Sequence, residues 1–264
     1  MRGSRVLSVL LMAVLAPQAA SAAGPKTSVQ VIMRPDTAAS AKLGSLADCV
    51  AVTPDGIAVV GDGDRLWLVG ATGARPVAKI RHLRSFAFTP EGLLVGVQGR
   101  NLVYLDSRQN LRVFFALPGR GMNVSPGRLD TLFLFGPEDK GGYDLYVVRP
   151  GRKVSKVLNA PKPITGVAQA GSRILLVTGG ALYGVSEHKL LLIAAEPQGA
   201  LTSVAVDEAG GRIFVSDGRH IFQVQQGRVV PLAGDLGGTL RWYGGGLLVL
   251  DPRNRVLVRL VGLK

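Results

Sequence analysis

Short runs of Val, Leu, Ile and Phe alternate with clusters of Gly, Asp and Pro along nearly the whole chain. One unit recurs: an apolar strand, a turn, a second apolar strand, a tight polar turn and a third strand. Six copies are readable, over Val50–Val69, Phe86–Leu105, Val124–Val148, Val167–Val185, Val204–Phe222 and Leu240–Leu260. With Asp55, Glu91, Gly127, Ala170, Glu208 and Gly244 as equivalent turn positions, the intervals are 36, 36, 43, 38 and 36 residues, the long one holding an inserted loop over Gly136–Gly142. Strands of about five residues that repeat about every 40 are the pattern of β-propeller blades. The second strand of a copy, such as Leu93–Val97, is apolar on both faces, as befits a strand covered on both sides by neighbouring blades.

A blade needs four strands. A fourth is available at Pro76–Ile80, Leu111–Phe115, Val154–Leu158, Leu190–Ala194 and Val229–Leu232. After the sixth copy only Val261–Lys264 remain, so its outer strand is expected from Ser28–Met33, which is stopped by Pro35. That pairing closes the ring and removes strand edges that otherwise invite aggregation. The expected fold is all-β: a six-bladed β-propeller with the last blade closed by an N-terminal strand. The regular spacing favours it over a β-sandwich or two smaller β-domains, and no Ser- or Pro-rich linker divides residues 23–264.

The first residues read as a targeting segment. Arg2 and Arg5 precede the apolar run Val6–Ala16, then Pro17 and the small triplet Ala20-Ser21-Ala22, which is the layout of a secretory signal peptide cleaved after Ala22. The run is too short to span a bilayer, and no transmembrane segment is expected elsewhere. A periplasmic or secreted location follows as an expectation. Removing residues 1–22 leaves 29 basic against 18 acidic residues, so the basic balance belongs to the mature domain. The sole cysteine, Cys49, lies in the apolar stretch Ala47–Ala51 and reads as a buried core residue, not a nucleophile.

The units at Val50–Val69 and Val204–Phe222 resemble NHL-repeat blades, in which a V-A-V-D-x-x-G turn leads into a strand. The six-fold chain is similar to the propellers of gluconolactonase-, regucalcin- and strictosidine-synthase-like proteins. Over almost the whole mature chain the likeness is one of fold and repeat. It implies a divalent metal at the channel mouth, held by Glu, Asn and Asp side chains of innermost strands. The equivalent positions here are Asp48, Ser85, Asn123, Thr165, Thr202 and Thr239. Only Asp48 and Asn123 suit a hard cation, whereas Ca²⁺ takes six to eight oxygens, several from carboxylates. The metal site therefore does not carry over, and no cofactor is expected outside a lactonase-like reading.

Other chemical signals are bland. His82 and His220 fall on one face of the ring and His188 on the other, so they do not form a three-His site. Asp-Gly pairs such as Asp62-Gly63 and Asp217-Gly218 read as tight hairpin turns. Gly237-Gly238 and Gly244–Gly246 lack the context of a phosphate cradle, and the sequon at Asn123–Ser125 is followed by Pro126.

The basic residues carry more. Connections entering the innermost strands share one face with the hairpins between second and third strands. On that face lie Arg81, Arg84, Arg120, Lys162 and Arg241, with Arg100, Arg219 and Arg253 on the hairpins. Carboxylates nearly match them in number: Asp62, Asp64, Glu138, Asp139, Glu196, Asp217, Asp235 and Asp251. Arg84, Arg120 and Arg241 are expected nearest the channel mouth, opposed there only by Asp48, with Arg100 and Arg219 further out. Arginine forks grip carboxylate or phosphate in bidentate fashion. The expected partner is an anionic ligand, envelope polymer or protein docked over the mouth. Solvated arginines paired with those Asp residues are the alternative account of the same charges. Nucleic acid is disfavoured by export and by the 6% aromatic content. A monomer is expected. Two function classes remain: an exported binding or scaffold module, and a metal-dependent lactonase- or esterase-like hydrolase of the six-bladed group.

Overall fold

A computed structural model describes residues 27–33, 49–53, 55–61, 65–70, 73–78, 82–89, 91–106, 108, 110–129, 131–149, 154–197 and 199–263. The signal-peptide reading, Asp48, Arg81, Asp62 and Asp64 lie outside the described residues. Within them the chain forms 24 strands in six four-stranded antiparallel sheets. Blade 1 holds β2 (Val50–Val52), β3 (Ala58–Gly61), β4 (Leu66–Gly70) and β5 (Gly73–Ala78). Blade 2 holds β6 (Leu83–Phe88), β7 (Leu94–Gln98), β8 (Asn101–Leu105) and β9 (Leu111–Ala116). Blade 3 consists of β10 (Asn123–Pro126), β11 (Leu132–Pro137), β12 (Tyr143–Val148) and β13 (Ser155–Ala160). Blade 4 consists of β14 (Ile164–Ala170), β15 (Arg173–Thr178), β16 (Ala181–Ser186) and β17 (Lys189–Ala195). Next come β18 (Ser203–Asp207), β19 (Arg212–Ser216), β20 (Ile221–Gln225) and β21 (Arg228–Ala233) of blade 5. Blade 6 is assembled from both ends of the sequence, with β22 (Thr239–Tyr243), β23 (Gly246–Asp251), β24 (Val256–Val261) and, outermost, β1 (Ser28–Met33). Among the described residues no helix is long and apolar enough to cross a membrane.

Closure by the N-terminal strand is as the hydrophobic pattern predicts. Strand β1 runs antiparallel to β24, from Ser28 opposite Val261 to Met33 opposite Leu257. Met33 is buried with Val50, Leu248 and Leu257 in the cluster that fills the seam between blades 6 and 1. Five further clusters fill the other five seams. Phe214, Leu240 and Leu247 meet between blades 5 and 6, for example, and Leu175, Val204 and Val215 between blades 4 and 5. Second strands are buried along almost their whole length because each faces two seams: all of β23 and four of five residues of β7 are buried. In blades 1 to 5 the pairing of third with outer strand shifts register at one point, between Leu66/Trp67, Leu102/Val103, Leu145/Tyr146, Leu182/Tyr183 and Ile221/Phe222. Each shift is a bulge that adds local twist at the rim.

The innermost strand of every blade is a sheet edge, so its outward backbone groups need partners other than a ladder. Small polar side chains of the preceding blade supply them. Ser85 Oγ accepts the Val124 N–H at 3.0 Å and donates to the Val124 carbonyl at 3.2 Å. Ser203 Oγ accepts the Leu240 N–H at 3.0 Å, and Ser125 Oγ donates to the Val167 carbonyl at 2.9 Å. Cys49 holds the same position on blade 1. Its Sγ accepts the Phe86 N–H at 3.1 Å and lies 3.8 Å from the Phe86 carbonyl. The thiol is buried as the sequence suggests, but as a tooth between blades and not only as apolar filling. At the corresponding place on blade 4 stands Gly166, where a Cβ would lie 3.3 Å from Ser203 Cα, so the backbones themselves come into contact.

The inserted loop of blade 3 is anchored by a buried carboxylate. Asp144 is fully buried and receives hydrogen bonds from Lys156 Nζ (2.6 Å), Asn159 Nδ2 (2.6 Å) and the Tyr146 hydroxyl (2.7 Å). Lys156 also reaches Glu138 of the loop at 3.4 Å. Gly142, with φ +86°, lies against Asn159, where a Cβ would come within 2.6 Å of its Nδ2. Burial alone pushes the Asp144 carboxyl up, yet the bonds from Lys156, Asn159 and Tyr146 outweigh it and hold the group below its usual 3.8.

Two outcomes follow. A folded-state carboxyl depressed in this way contributes stability above its unfolded value, and that contribution is lost as pH falls through the folded value. Denaturant unfolding at successive pH values should therefore show an acid limb starting near 3.8, and Asp144→Asn should flatten that limb while lowering stability at neutral pH. For the inter-blade tooth, Cys49→Ser should keep stability within about 1 kcal/mol of the parent. Cys49→Val, which orphans the Phe86 N–H, should cost about 1–3 kcal/mol. Equal losses in the two variants contradict the assigned role.

Candidate functional site

The tops of the innermost strands surround a vestibule of about 430 Å³ at the channel mouth. Its wall includes Ser85, Asn123, Thr165, Thr202 and Thr239, five of the six positions the repeat assigns to this place, together with Cys49, Arg84 and Arg241. Local irregularities aim two of these side chains. The pairing of β6 with β7 shifts between Leu83 and Ser85, and that of β14 with β15 between Ile164 and Gly166. Arg84 and Thr165 are thus the extra residues of bulges at the channel end, where a bulge re-aims a side chain.

Of the five arginines singled out from the sequence, the structure brings two into the vestibule. Arg84 is exposed on β6, its guanidinium beside Gly121: a Cβ there would lie 3.8 Å from Arg84 Cζ. Arg241 sits deeper than the sequence suggests. Thr239 and Arg241 are two residues apart on β22, so both point into the channel, with Arg241 one step of about 7 Å further down. Its Nη1 donates to the Leu240 carbonyl at 2.9 Å. Burial pushes its guanidinium below its ordinary value, with the neighbouring Cys49 side chain acting in the opposite sense. An arginine nevertheless stays charged. Among the described residues that line the vestibule there is no carboxylate.

The other three arginines stand outside that wall. Arg120 is exposed on the loop between β9 and β10. Arg100, on the β7–β8 turn, is ion-paired with Asp139 of the inserted loop, both side chains about half exposed. Arg219 is exposed on the β19–β20 turn, where its N–H and that of His220 both donate to Asp217 Oδ1 at 2.7 Å.

Several carboxylates on this face are also committed. Asp217 Oδ2 bonds His220 Nδ1 at 2.9 Å. Burial raises the Asp217 carboxyl, but the His220 side chain and the two backbone donors bring it below the usual value. Asp251 is fully buried and accepts from Gly237 N–H and from both nitrogens of Asn254. Glu138 and Asp139 are the loop partners of Lys156 and Arg100. Among the described residues, the near-balance of charges counted along the sequence thus becomes an imbalance at the vestibule wall.

His82 and His220 lie on blades 2 and 5, and His188 occupies the β16–β17 turn with Nδ1 2.5 Å from the Val157 carbonyl. Among the described residues no three His, Cys, Asp or Glu side chains come together as a metal-holding group. The donors the vestibule offers are one amide and a set of hydroxyls, with two guanidinium charges that repel a cation. Those residues do not fit a hard divalent metal.

A second cavity of about 340 Å³ opens at the opposite channel mouth, which sequence reasoning did not anticipate. Several of its polar side chains are paired: Arg128 Nε with Glu208 at 3.0 Å, the Arg128 N–H with Gln169 Oε1 at 2.8 Å, and Asp207 with Nε of Arg212, outside the lining, at 2.8 Å. Arg241 lines both cavities and stands between them.

No family model and no curated protein matches this chain. Solved structures do resemble it. A gluconolactonase from Xanthomonas campestris superposes with a TM-score of 0.64 at 15% identity, over 92% of this chain and 98% of the other. The calcium-binding protein regucalcin from Agrobacterium tumefaciens gives 0.61 at 14% identity, over 81% and 89%. A chain of a nidogen/laminin complex gives 0.59 at 11% identity, over 72% and 82%. These identities carry the fold alone. The chain is a six-bladed β-propeller with structural neighbours among gluconolactonase-, regucalcin- and NHL-type propellers.

Proposed function

We propose that this protein is an exported propeller that binds an anionic ligand, a carboxylate- or phosphate-bearing polymer or protein segment, in the vestibule at its channel mouth. The observation that carries the reading is Arg241. A guanidinium withdrawn into the channel, with Arg84 above it and no carboxylate among the described wall residues, is a desolvated positive charge in want of a counter-ion. Ser85, Asn123, Thr165, Thr202 and Thr239 add neutral hydrogen-bonding groups that tolerate an anion. Exposed Arg120 and Arg219, on loops outside the vestibule wall, add to the positive field that draws an acidic partner in, while Arg100 is paired with Asp139. Export rests on the layout of residues 1–22. The nidogen/laminin likeness supports the idea that such a scaffold serves in protein complexes.

The fold likeness to a gluconolactonase favours a second reading, a lactone or ester hydrolase. The residues present in the vestibule do not fit the metal that reading needs, so no metal-dependent step is derived.

Calorimetric titration with lipopolysaccharide and with a polyglutamate peptide tests the proposal. Arg84→Gln and Arg241→Gln should each weaken binding about tenfold or more, since a hydrogen bond to a charged group is worth about 1.5–3 kcal/mol. Unchanged affinity in the double variant, or lactone hydrolysis that responds to added Ca²⁺ without anion binding, overturns it in favour of the second reading.

A further inference from the structure

The outer strand of each blade is an edge exposed to solvent, and four of the six carry a charge or proline that discourages pairing with another chain. Strand β5 has exposed Arg75 and Pro76, β9 has Arg112, β13 has Lys156 and β21 has Pro231 at its middle, whereas β1 exposes only the neutral Gln30. Lysine, arginine and proline at such positions are the usual means of blunting an edge. Strand β17, Lys-Leu-Leu-Leu-Ile-Ala-Ala, has neither proline nor a charge beyond its first residue. It also exposes Leu191 (57%) and Leu192 (64%), among the most exposed large apolar side chains of the described residues.

The register defines what this edge offers. Ser186 and Lys189 flank the two-residue turn Glu187-His188, whose φ values of 49° and 62° make a type I′ hairpin. The flanking pair of such a hairpin exchanges both its hydrogen bonds. Lys189 and Leu191 therefore turn their backbone groups inward to β16, and Leu190 and Leu192 turn theirs out to solvent. The bulge at Ile193 then ends the regular edge.

We propose that β17 is a homodimerisation edge, on which a second copy of this chain docks its own β17 antiparallel, centred on Leu191. That register is self-complementary. Leu190 of each copy faces Leu192 of the other, and each pair exchanges both outward hydrogen bonds. The two Leu191 residues meet in the intervening non-bonded pair. Leucines are covered on both faces of the joined sheet, because neighbouring residues of a strand point to opposite sides. The charges agree with it as well. Lys189 of one copy faces Ile193 of the other, which sets the two lysines about 14 Å apart along the strands. That exceeds the screening length of about 8 Å at physiological salt. A stretch this short makes a small interface, so the dimer is weak and concentration-dependent, in place of the monomer expected from sequence. This inference is independent of what the vestibule binds.

Sedimentation velocity of the mature protein from about 5 to about 500 µM, in about 0.3 M salt to screen its net positive charge, reads the association directly. A concentration-dependent shift to twice the monomer mass is expected. Leu191→Lys, with circular dichroism unchanged, should abolish the shift. Mild oxidation of Cys49→Ser/Leu191→Cys should yield a disulfide-linked dimer, because cross-strand non-bonded pairs bring Cα atoms to about 4.5 Å. Cys49→Ser/Lys189→Cys should not cross-link. A monomer throughout overturns the proposal and leaves the edge to a strand of a different protein. A dimer that survives Leu191→Lys, or cross-links equally at both positions, overturns it in favour of another surface.

Discussion

Adjacent innermost strands in a propeller splay apart and cannot form a ladder with each other, so each leaves a row of backbone donors and acceptors facing its neighbour. The rest of this structure depends on how those groups are satisfied. Cys49, Ser85, Ser125 and Ser203 each place a small polar side chain against the backbone of the next blade, on Phe86, Val124, Val167 and Leu240 respectively. A side chain of this size bridges two strands without widening the seam, and Gly166 closes a further seam with no side chain at all. These contacts set the rotation between blades. They thereby set the diameter of the channel and the depth at which Arg241 sits.

Function builds on the same ring. Hydroxyls at this level join blades or line the mouth, so the described channel wall is polar. Its charged side chains are the guanidinium groups of exposed Arg84 and half-buried Arg241. The contrast with the opposite mouth is instructive. There, among the described residues, Arg128 is paired with Glu208, and Asp207 with Arg212. Among the described residues the two ends of the channel thus differ: carboxylates pair with arginines at one, and no carboxylate lines the other.

Much of the fold was legible in the sequence because turn residues at even spacing report blades directly. The outer strand of blade 6 was legible as well, since Ser28–Met33 alternates and is stopped by Pro35. In blades 2 to 5 the outer strands were foreseen near the right places but ran short, as at Leu111–Phe115 for β9, because a bulge adds a residue that periodicity does not reveal, and in blade 1 Pro76–Ile80 overlaps only the second half of β5 (Gly73–Ala78). The site was legible only in part. The repeat pointed to Ser85, Asn123, Thr165, Thr202 and Thr239 around the mouth, yet it grouped Arg241 with the loops when the two-residue period of β22 places it below Thr239. Cys49 read as an apolar core residue because its own neighbours are apolar. Only its alignment with Ser85 and Ser203, one blade against another, exposes the hydrogen-bonding role. The ion pairs that tie up Asp139 and Glu138 join separate segments and leave no trace in local sequence, whereas Asp217 is tied up inside its own turn by His220.

Native-state amide hydrogen exchange at the inter-blade donors tests the central claim most directly. If the side-chain teeth hold the ring together, the N–H groups of Phe86, Val124 and Leu240 exchange only through global unfolding, as slowly as the fully buried ladder amides of β23. Exchange at those three sites as fast as at the solvent-facing amides of the outer strands would contradict it.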